Sequence, residues 1–332
     1  MLILRGYSEI SLTMEEIIAP MPLEELMAEL TPDKMMRKTN KGGNEIYIFS
    51  HADSPALMHE IGRLREVTFR AAGGGTGKEQ DIDEYDLSDV PYKQLIVWDP
   101  DAREILGGYR YIHCANAAND SNGKIMLATS ELFNFSERFC KEYIPYTIEL
   151  GRSFVTPAYQ SSKAGAKALY ALDNLWDGLG ALSVDFPQLK YFFGKVTMYA
   201  HFHTEARNLI QYFFFKYFRD RENLVYPIVP FEFHIDFPKM EALFTGNDFK
   251  EDYRILVQSV RQYGENIPPL FNSYMNVSPT MKTFGTVLHK GFGNVLETAI
   301  IVTVNDIYEA KRGRHIETYL RKKETETWLL PE

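Results

Sequence analysis

Apolar and polar positions alternate most clearly over residues 146–160, where Ile148, Leu150 and Phe154 stand among polar or small neighbours and Pro157 ends the run. The pattern predicts a strand. Glu149 and Arg152 lie three apart on it, so a regular strand sends them to opposite faces, whereas a bend at Gly151 brings them together. The period then changes. Leu169, Leu172, Trp176, Leu179 and Leu182 recur at helical spacing and predict a helix over 162–184.

Other stretches read in the same way. Residues 46–49 form a short strand, and Ser54-Pro55 opens a helix through Leu57, Ile61, Leu64 and Phe69 with Ser54 as N-cap. Residues 94–98 and 104–113 make an antiparallel hairpin, with Gly107-Gly108 as a bulge that aims Arg110. A strand over 191–198, a helix over 203–218 and a β-forming run over 296–304 complete the core pattern. This order predicts an α/β fold with a mixed sheet. Three segments lie outside it: a helical preamble over 1–45, broken by Pro20 and Pro22; an insertion over 219–265; and a basic tail over 309–332.

Several motifs invite chemistry. A strand that carries charges toward its end and feeds a helix N-terminus suits phosphate binding or acyl chemistry, and equally a buried structural ion pair. The run Gly73-Gly-Gly-Thr-Gly77-Lys78 imitates a nucleotide-binding loop but has Ala72 and Glu79 at positions needing Gly and Ser or Thr, and it follows a helix. It reads better as a flexible lid or substrate loop. The acidic run Asp81, Asp83, Asp86 lacks the central Gly and distal Glu of a calcium loop. His201 and His203 have no third ligand in view, so no metal site is expected.

Composition narrows the classes. The 332 residues are 45% hydrophobic and 24% charged, ordinary for a soluble globular chain, with a high aromatic share of 14% that suits a large apolar pocket or simply an aromatic core. A formal charge of −9 argues against nonspecific nucleic-acid binding. Cys114 and Cys140 make neither a disulfide framework nor a metal spacing, which fits a reducing cytoplasm. Residues 1–5 are too short for a signal peptide, and no uncharged apolar run reaches the roughly 18 residues of a membrane span.

Five motifs, spread over about residues 60–305, resemble one family in its order. They are Arg63-Leu-Arg65-Glu-Val-Thr-Phe69; Asp81-x-Asp83-x-x-Asp86; Gly107-Gly-Tyr-Arg110; Glu149-Leu-Gly-Arg152-Ser-x-Val-x-Pro157; and Ile267-Pro-Pro-Leu-Phe-Asn-Ser-Tyr274 with Phe292-Gly293. The chain resembles the GNAT-fold N-acyltransferases that make ornithine and glycine lipids, often labelled hemolysin-like, and more distantly the acyl-homoserine-lactone synthases. The loop at 73–78 and the run Ala171-Leu-Asp-Asn-Leu-Trp176 look closest to the glycine-lipid enzymes of Bacteroidetes.

The resemblance implies a GNAT α/β domain over 46–308, with a mixed, mostly antiparallel sheet flanked by helices and the 219–265 insertion ahead of the last strand. It implies transfer of a (3-hydroxy)acyl group from acyl carrier protein to the α-amine of glycine or ornithine. Glu149 is then the general base, with Arg152 and Tyr199 completing the catalytic set and Tyr199 protonating the departing thiolate. Arg65, Phe69, Asp81, Asp83, Asp86 and Arg110 are the expected substrate contacts. Phe154, Val155, Gln160, Lys163, Gly165 and Lys167 would line the phosphopantetheine path. No tightly bound cofactor is implied. Lys163 stands where coenzyme A-dependent relatives carry the first Gly of a diphosphate nest, so acyl-CoA is the weaker donor.

The expected partners are acyl carrier protein and a small amino acid, without nucleic acid. Lys163 and Lys167, then Lys190 and Lys195, are the basic candidates for docking the acidic carrier. The expected location is cytoplasmic, peripheral to the inner membrane face through the basic tail or the aromatic run 212–218. Two other readings stand beside this one: a homoserine-lactone-synthase-like or other amine acyltransferase, and a non-catalytic acyl-carrier or acyl-chain binding module.

Overall fold

The computed structural model describes residues 14–160, 166–246 and 248–328. Its strands are β1 (Met35–Lys38), β2 (Glu45–Phe49), β3 (Lys93–Asp99), β4 (Glu104–His113), β5 (Phe133–Phe135), β6 (Thr147–Val155), β7 (Tyr191–Met198), β8 (Val225–Pro227), β9 (Lys282–His289) and β10 (Val295–Thr303). Eight of them form one sheet in the order β1-β2-β3-β4-β6-β7-β10-β9, and β5 pairs with β8 in a separate ribbon. Neighbours in the large sheet are antiparallel except β6 and β7, which run parallel. The helices are α1 (Leu23–Glu29), α2 (Pro55–Ala71), α3 (Glu84–Leu87), α4 (Glu137–Glu142), α5 (Ala166–Asp185), α6 (Thr204–Tyr217), α7 (Phe237–Leu243), α8 (Phe249–Gln262), α9 (Pro269–Met275), α10 (Glu309–His315) and α11 (Glu317–Trp328).

Both faces of the sheet are covered, which is why its central strands are apolar along nearly their whole length. Leu95 and Val97 of β3 face Leu175, Leu179 and Leu182 of α5, in the core that Leu209 and Phe213 of α6 continue over the β10–β9 side. Ile96 and Trp98 turn the other way, onto Leu57, Ile61 and Phe69 of α2. The alternation along one strand thus feeds two cores.

One irregularity positions the site. β6 and β7 pair only from Thr147↔Tyr191 to Leu150↔Gly194, although both strands continue beyond. Two features force them apart. The β4–β6 ladder shifts register between Gly108 and Arg110, and opposite that shift Arg152 takes φ +49°, a left-handed conformation that bends β6. Gly194 lies so close to β6 that a Cβ would sit 2.4 Å from the Leu150 carbonyl oxygen, and Gly107 makes the same approach to the Phe154 oxygen. The strands touch at Leu150 and splay after it. The bend predicted at Gly151 is therefore a bulge one residue later.

The chain departs from its sequence pattern at several places. The preamble is helical only over Leu23–Glu29. Pro20 and Pro22 disfavour helix before it, and the amides of Glu15 and Ile18 donate to the carbonyls of Gly77 and Glu79 instead. Residues 35–38, expected in the preamble or its polar link, join the sheet as β1. Ser54 does not cap α2 through its side chain; the Glu29 carboxylate of α1 accepts from the amides of Ala56 and Leu57 at 3.0 and 2.8 Å.

The two candidate membrane contacts also change character. Tyr212, Phe213, Phe214 and Phe218 are all buried, with only Phe215 of the run's phenylalanines exposed. The basic tail forms α10 and α11 against α5. His315 is buried with its Nδ1 2.7 Å from Asp177, while Arg314 pairs with Asp173 and Lys323 with Asp185. Among the described residues, no helix is long and apolar enough to cross a membrane. Residues 219–265 carry β8, α7 and α8, and α8 packs Leu256 and Val260 into the same core as α6.

Candidate active site

The splay opens a cavity of about 540 Å³. Its wall is polar at Arg110, Glu149, Arg152, Lys195, Tyr199 and Glu297. It is apolar at Phe154, Val155, Leu172 and Leu270. The polar part of such a wall suits a reacting centre, and the apolar part suits a chain of methylenes.

Glu149 leaves β6 just before the strands part. It is 1% exposed. Its Oε2 accepts from the Tyr92 hydroxyl, and its Oε1 accepts from the Thr129 amide at 2.8 Å. The Tyr92 oxygen in turn accepts from the Ala128 amide at 3.0 Å. Among the described residues no cation pairs with Glu149, so neutral donors alone hold its charge at the cavity wall. Such a carboxylate is free to pair with a cationic substrate.

Behind this wall lies the arginine–aspartate set. Asp86 Oδ2 sits 3.1 Å from both Arg65 Nη1 and Arg110 Nη1, and Arg110 Nη1 is 2.6 Å from Asp83. Arg152 directs Nε to Asp81 at 2.7 Å and Nη2 to Asp83 at 3.3 Å, with its guanidinium 4.5 Å from the centre of the Phe292 ring. Asp83 also caps α3, accepting from the amides of Tyr85 and Asp86. Burial works against the charges of Arg110 and Asp83. The attraction of Asp86 and then Asp83 outweighs it for Arg110, and that of Arg110 and then Arg152 for Asp83, holding Arg110 well above and Asp83 well below their ordinary ranges. Three arginines and three aspartates balance, which is what lets so many charges stay buried.

This geometry corrects part of the sequence expectation. Arg65, Asp81 and Asp86 are fully buried and do not line the cavity, and Asp83 does not line it either. They brace Arg110 and Arg152 rather than meet a substrate. Phe69, Arg110, Phe154, Val155 and Gln160 do line it, as do Glu149, Arg152 and Tyr199. Lys163 and Gly165 lie outside the described residues, as does the side chain of Lys167 in the first turn of α5.

The loop at 73–78 is not a lid. Buried Glu66 accepts from the Thr76 amide at 3.0 Å, the Thr76 hydroxyl at 2.8 Å and the Gly77 amide at 2.8 Å. Arg70 pairs with Glu66 at 2.7 Å and donates to the Lys78 carbonyl. The nest that a nucleotide loop would offer to phosphate holds an internal carboxylate instead. Gly73, Gly75 and Gly77 take positive φ to wrap it, and Gly74 leaves just enough room for the Tyr199 ring.

One functional candidate escaped the sequence reading and another was misplaced by it. Glu297 of β10, 4% exposed, faces Lys195 Nζ at 3.2 Å and His289 Nδ1 at 3.3 Å. Burial opposes the Glu297 charge, but Lys195 and His289 hold the carboxyl down at about 2. Lys195, expected to dock a carrier from the surface, instead points into the cavity and donates to the Ala128 carbonyl at 2.9 Å. Burial and the Glu297 charge push the Tyr199 hydroxyl up to about 12, so it keeps its proton near neutrality. A signal for the pair was present: Lys195 and Glu297 are lone charges on strand faces otherwise filled by Phe193, Ala299 and Ile301. The histidines are engaged elsewhere. His201 stacks on Tyr199, and His203 accepts from the Glu205 amide at the start of α6.

Comparison with known proteins agrees with this geometry. Residues 64–170 match the family model described as an acetyltransferase (GNAT) domain. The chain is 58% identical over 309 residues to the glycine N(alpha)-acyltransferase of Phocaeicola vulgatus, covering 93% of this chain and 95% of that one. It is 57% identical over 307 residues to the glycine N(alpha)-acyltransferase of Bacteroides thetaiotaomicron, covering 92% and 91%. The solved structure of FeeM, an N-acyl amino acid synthase from uncultured soil microbes, aligns over 83% of this chain and 97% of its own. Its TM-score of 0.39 and 8% identity are too low to carry an argument. The chain therefore belongs to the GNAT-fold N-acyltransferase family of these two Bacteroidetes proteins, and it is an acyltransferase.

Proposed function

We propose that the protein transfers an acyl group from a thioester to the α-amine of glycine, giving an N-acylglycine and a free thiol. The observation that carries this reading is Glu149: a buried carboxylate without a cationic partner, on the wall of a cavity lined by both polar and apolar side chains. Both 57–58% identical relatives are named for glycine.

In the reaction so read, the glycine ammonium pairs with Glu149 and loses a proton to it, directly or through one water. The neutral amine attacks the thioester carbonyl, the C–N bond forms, and the oxyanion is met by backbone N–H groups along β6 beyond Leu150, where the ladder to β7 has ended. The C–S bond then breaks. The thiolate takes a proton from the Tyr199 hydroxyl, which is recharged from the amine nitrogen through water. One proton is released per turnover from the glycine zwitterion.

The donor in this proposal is an acyl carrier protein bearing a (3-hydroxy)acyl chain, and the product enters aminolipid synthesis. Supporting the carrier over coenzyme A is the sequence alone, where Lys163 replaces a nest glycine. Supporting a long acyl chain are the apolar side chains of the cavity wall, Phe154, Val155, Leu172 and Leu270. The protein is read as working in the cytoplasm. The test is direct: purified protein is incubated with 3-hydroxyacyl carrier protein and glycine, following thiol release and the product mass. No glycine-dependent thiol release from any thioester would reject the function. Equal kcat/KM for the carrier and coenzyme A thioesters would reject the carrier assignment.

A further inference from the structure

The cavity wall holds one more charged pair than an amine-deprotonating base requires. Lys195 and Glu297 come from neighbouring strands β7 and β10 and project onto the face that also carries Phe193, Thr197, Ala299 and Ile301. A buried ion pair that lines a cavity is a candidate functional site.

The geometry ties Lys195 to Glu149. Lys195 Nζ donates to the carbonyl of Ala128 at 2.9 Å, and the amide of Thr129 donates to Glu149 Oε1 at 2.8 Å. That carbonyl and that amide belong to a single peptide group. The ammonium of Lys195 and the carboxylate of Glu149 are therefore no more than about 8 Å apart, across a rigid planar unit. An α-amino acid, with about 3 Å between amine nitrogen and carboxylate oxygen, spans this gap with one hydrogen bond at each end.

The competing cations are less free. Arg152 has its Nε and Nη2, the edge that takes a carboxylate side-on, committed to Asp81 and Asp83. Arg110 is 2% exposed, its Nη1 serves two aspartates, and its Nε is buried out of reach of solvent. Lys195 has three N–H donors. One goes to the Ala128 carbonyl, and Glu297 stands 3.2 Å away as an ion-pair partner without a hydrogen bond, so the ammonium keeps donors for the cavity.

We infer that Lys195 is the counter-ion for the carboxylate of the amino-acid acceptor, with Glu297 and the Ala128 carbonyl positioning its ammonium opposite Glu149. The inference rests on the reading of this site as an amino-acid N-acyltransferase centre and adds the acceptor's recognition to it. The acceptor enters as a zwitterion, its amine on Glu149 and its carboxylate on Lys195. Simple amines are poor acceptors because they offer no carboxylate to the N–H donors that Lys195 directs into the cavity.

The test compares glycine with glycinamide, which has the same amine and no carboxylate, in the wild type, Lys195→Met and Glu297→Gln. Taking the ratio of kcat/KM for the two acceptors in each protein cancels the difference in amine basicity. In Lys195→Met that ratio should fall by about 10–100-fold, mostly through KM for glycine, the range for losing a charge-assisted bond. Glu297→Gln keeps an oxygen beside the ammonium and removes a competing anion, so it should raise the ratio. Thermal midpoints report folding, and the Glu297→Gln arm stands should Lys195→Met fail to fold. An unchanged ratio in Lys195→Met, or an unchanged or lowered ratio in Glu297→Gln, overturns the assignment while glycine acylation by the wild type leaves the site's reading intact. If the wild type acylates neither acceptor from any thioester, the reading fails and takes this inference with it.

Discussion

Replacing Glu149 by Gln separates its chemistry from its place in the fold. The amide keeps the side chain's shape and an oxygen for the Thr129 amide. At the other oxygen's place it puts an N–H toward Tyr92, whose hydroxyl donates to Glu149 and already accepts from the Ala128 amide. The buried phenol is left without an acceptor, a cost of about 1–2 kcal/mol. Against that, a 1% exposed carboxylate with no cationic partner no longer has to be desolvated. Net stability should therefore move by no more than about 2 kcal/mol. Turnover should fall roughly 10²–10⁴-fold, the range for a lost general base and about 3–5 kcal/mol of barrier. Urea unfolding measures the first quantity, and a thiol reagent following release from the thioester donor measures the second. Partial recovery at high pH, where the amine deprotonates unaided, would accompany the loss. A variant that folds normally and turns over within threefold of wild type would remove Glu149 from the mechanism.

Further outcomes follow from the same structure. Tyr199→Phe should slow turnover of an alkyl thioester by about 10–100-fold and barely affect an aryl thioester, whose thiolate leaves without a proton; equal effects on both would rule out proton donation. Asp86→Asn leaves Arg65 and Arg110 under-compensated in a fully buried place and should cost about 3–5 kcal/mol in urea unfolding, and a loss below about 1 kcal/mol would contradict the balanced-cage account. Glu297 has its native carboxyl held at about 2 against an ordinary 4.5, so its contribution is complete above pH 4.5 and drains as pH falls toward 2, on the order of 3 kcal/mol in all. The stability gap between wild type and Glu297→Gln should narrow as pH falls through that window. His315→Ala strips Asp177 of its buried imidazole partner and should lower the thermal midpoint by several degrees, whereas an unaffected midpoint would mean that α10 and α11 rest on α5 without contributing stability.

Local pattern carried much of this architecture. The alternation in 147–155, the helical period of α5 and the glycine pair ahead of Arg110 are encoded within a few residues of themselves, because side-chain direction repeats every 2 or 3.6 positions whatever the rest of the chain does. The family motifs likewise identified the GNAT acyltransferase, since each is a short run of residues with its own spacing. Tertiary structure decided what those residues face. Only the ladder to β7 reveals that pairing stops at Leu150, and only the fold reveals that Glu66 fills the glycine loop and that aspartates already occupy Arg152. Periodicity says that Lys195 and Glu297 point inward. It cannot say that strands 100 residues apart set them 3.2 Å from each other across one cavity, because register between distant strands is fixed by the packing of the whole sheet.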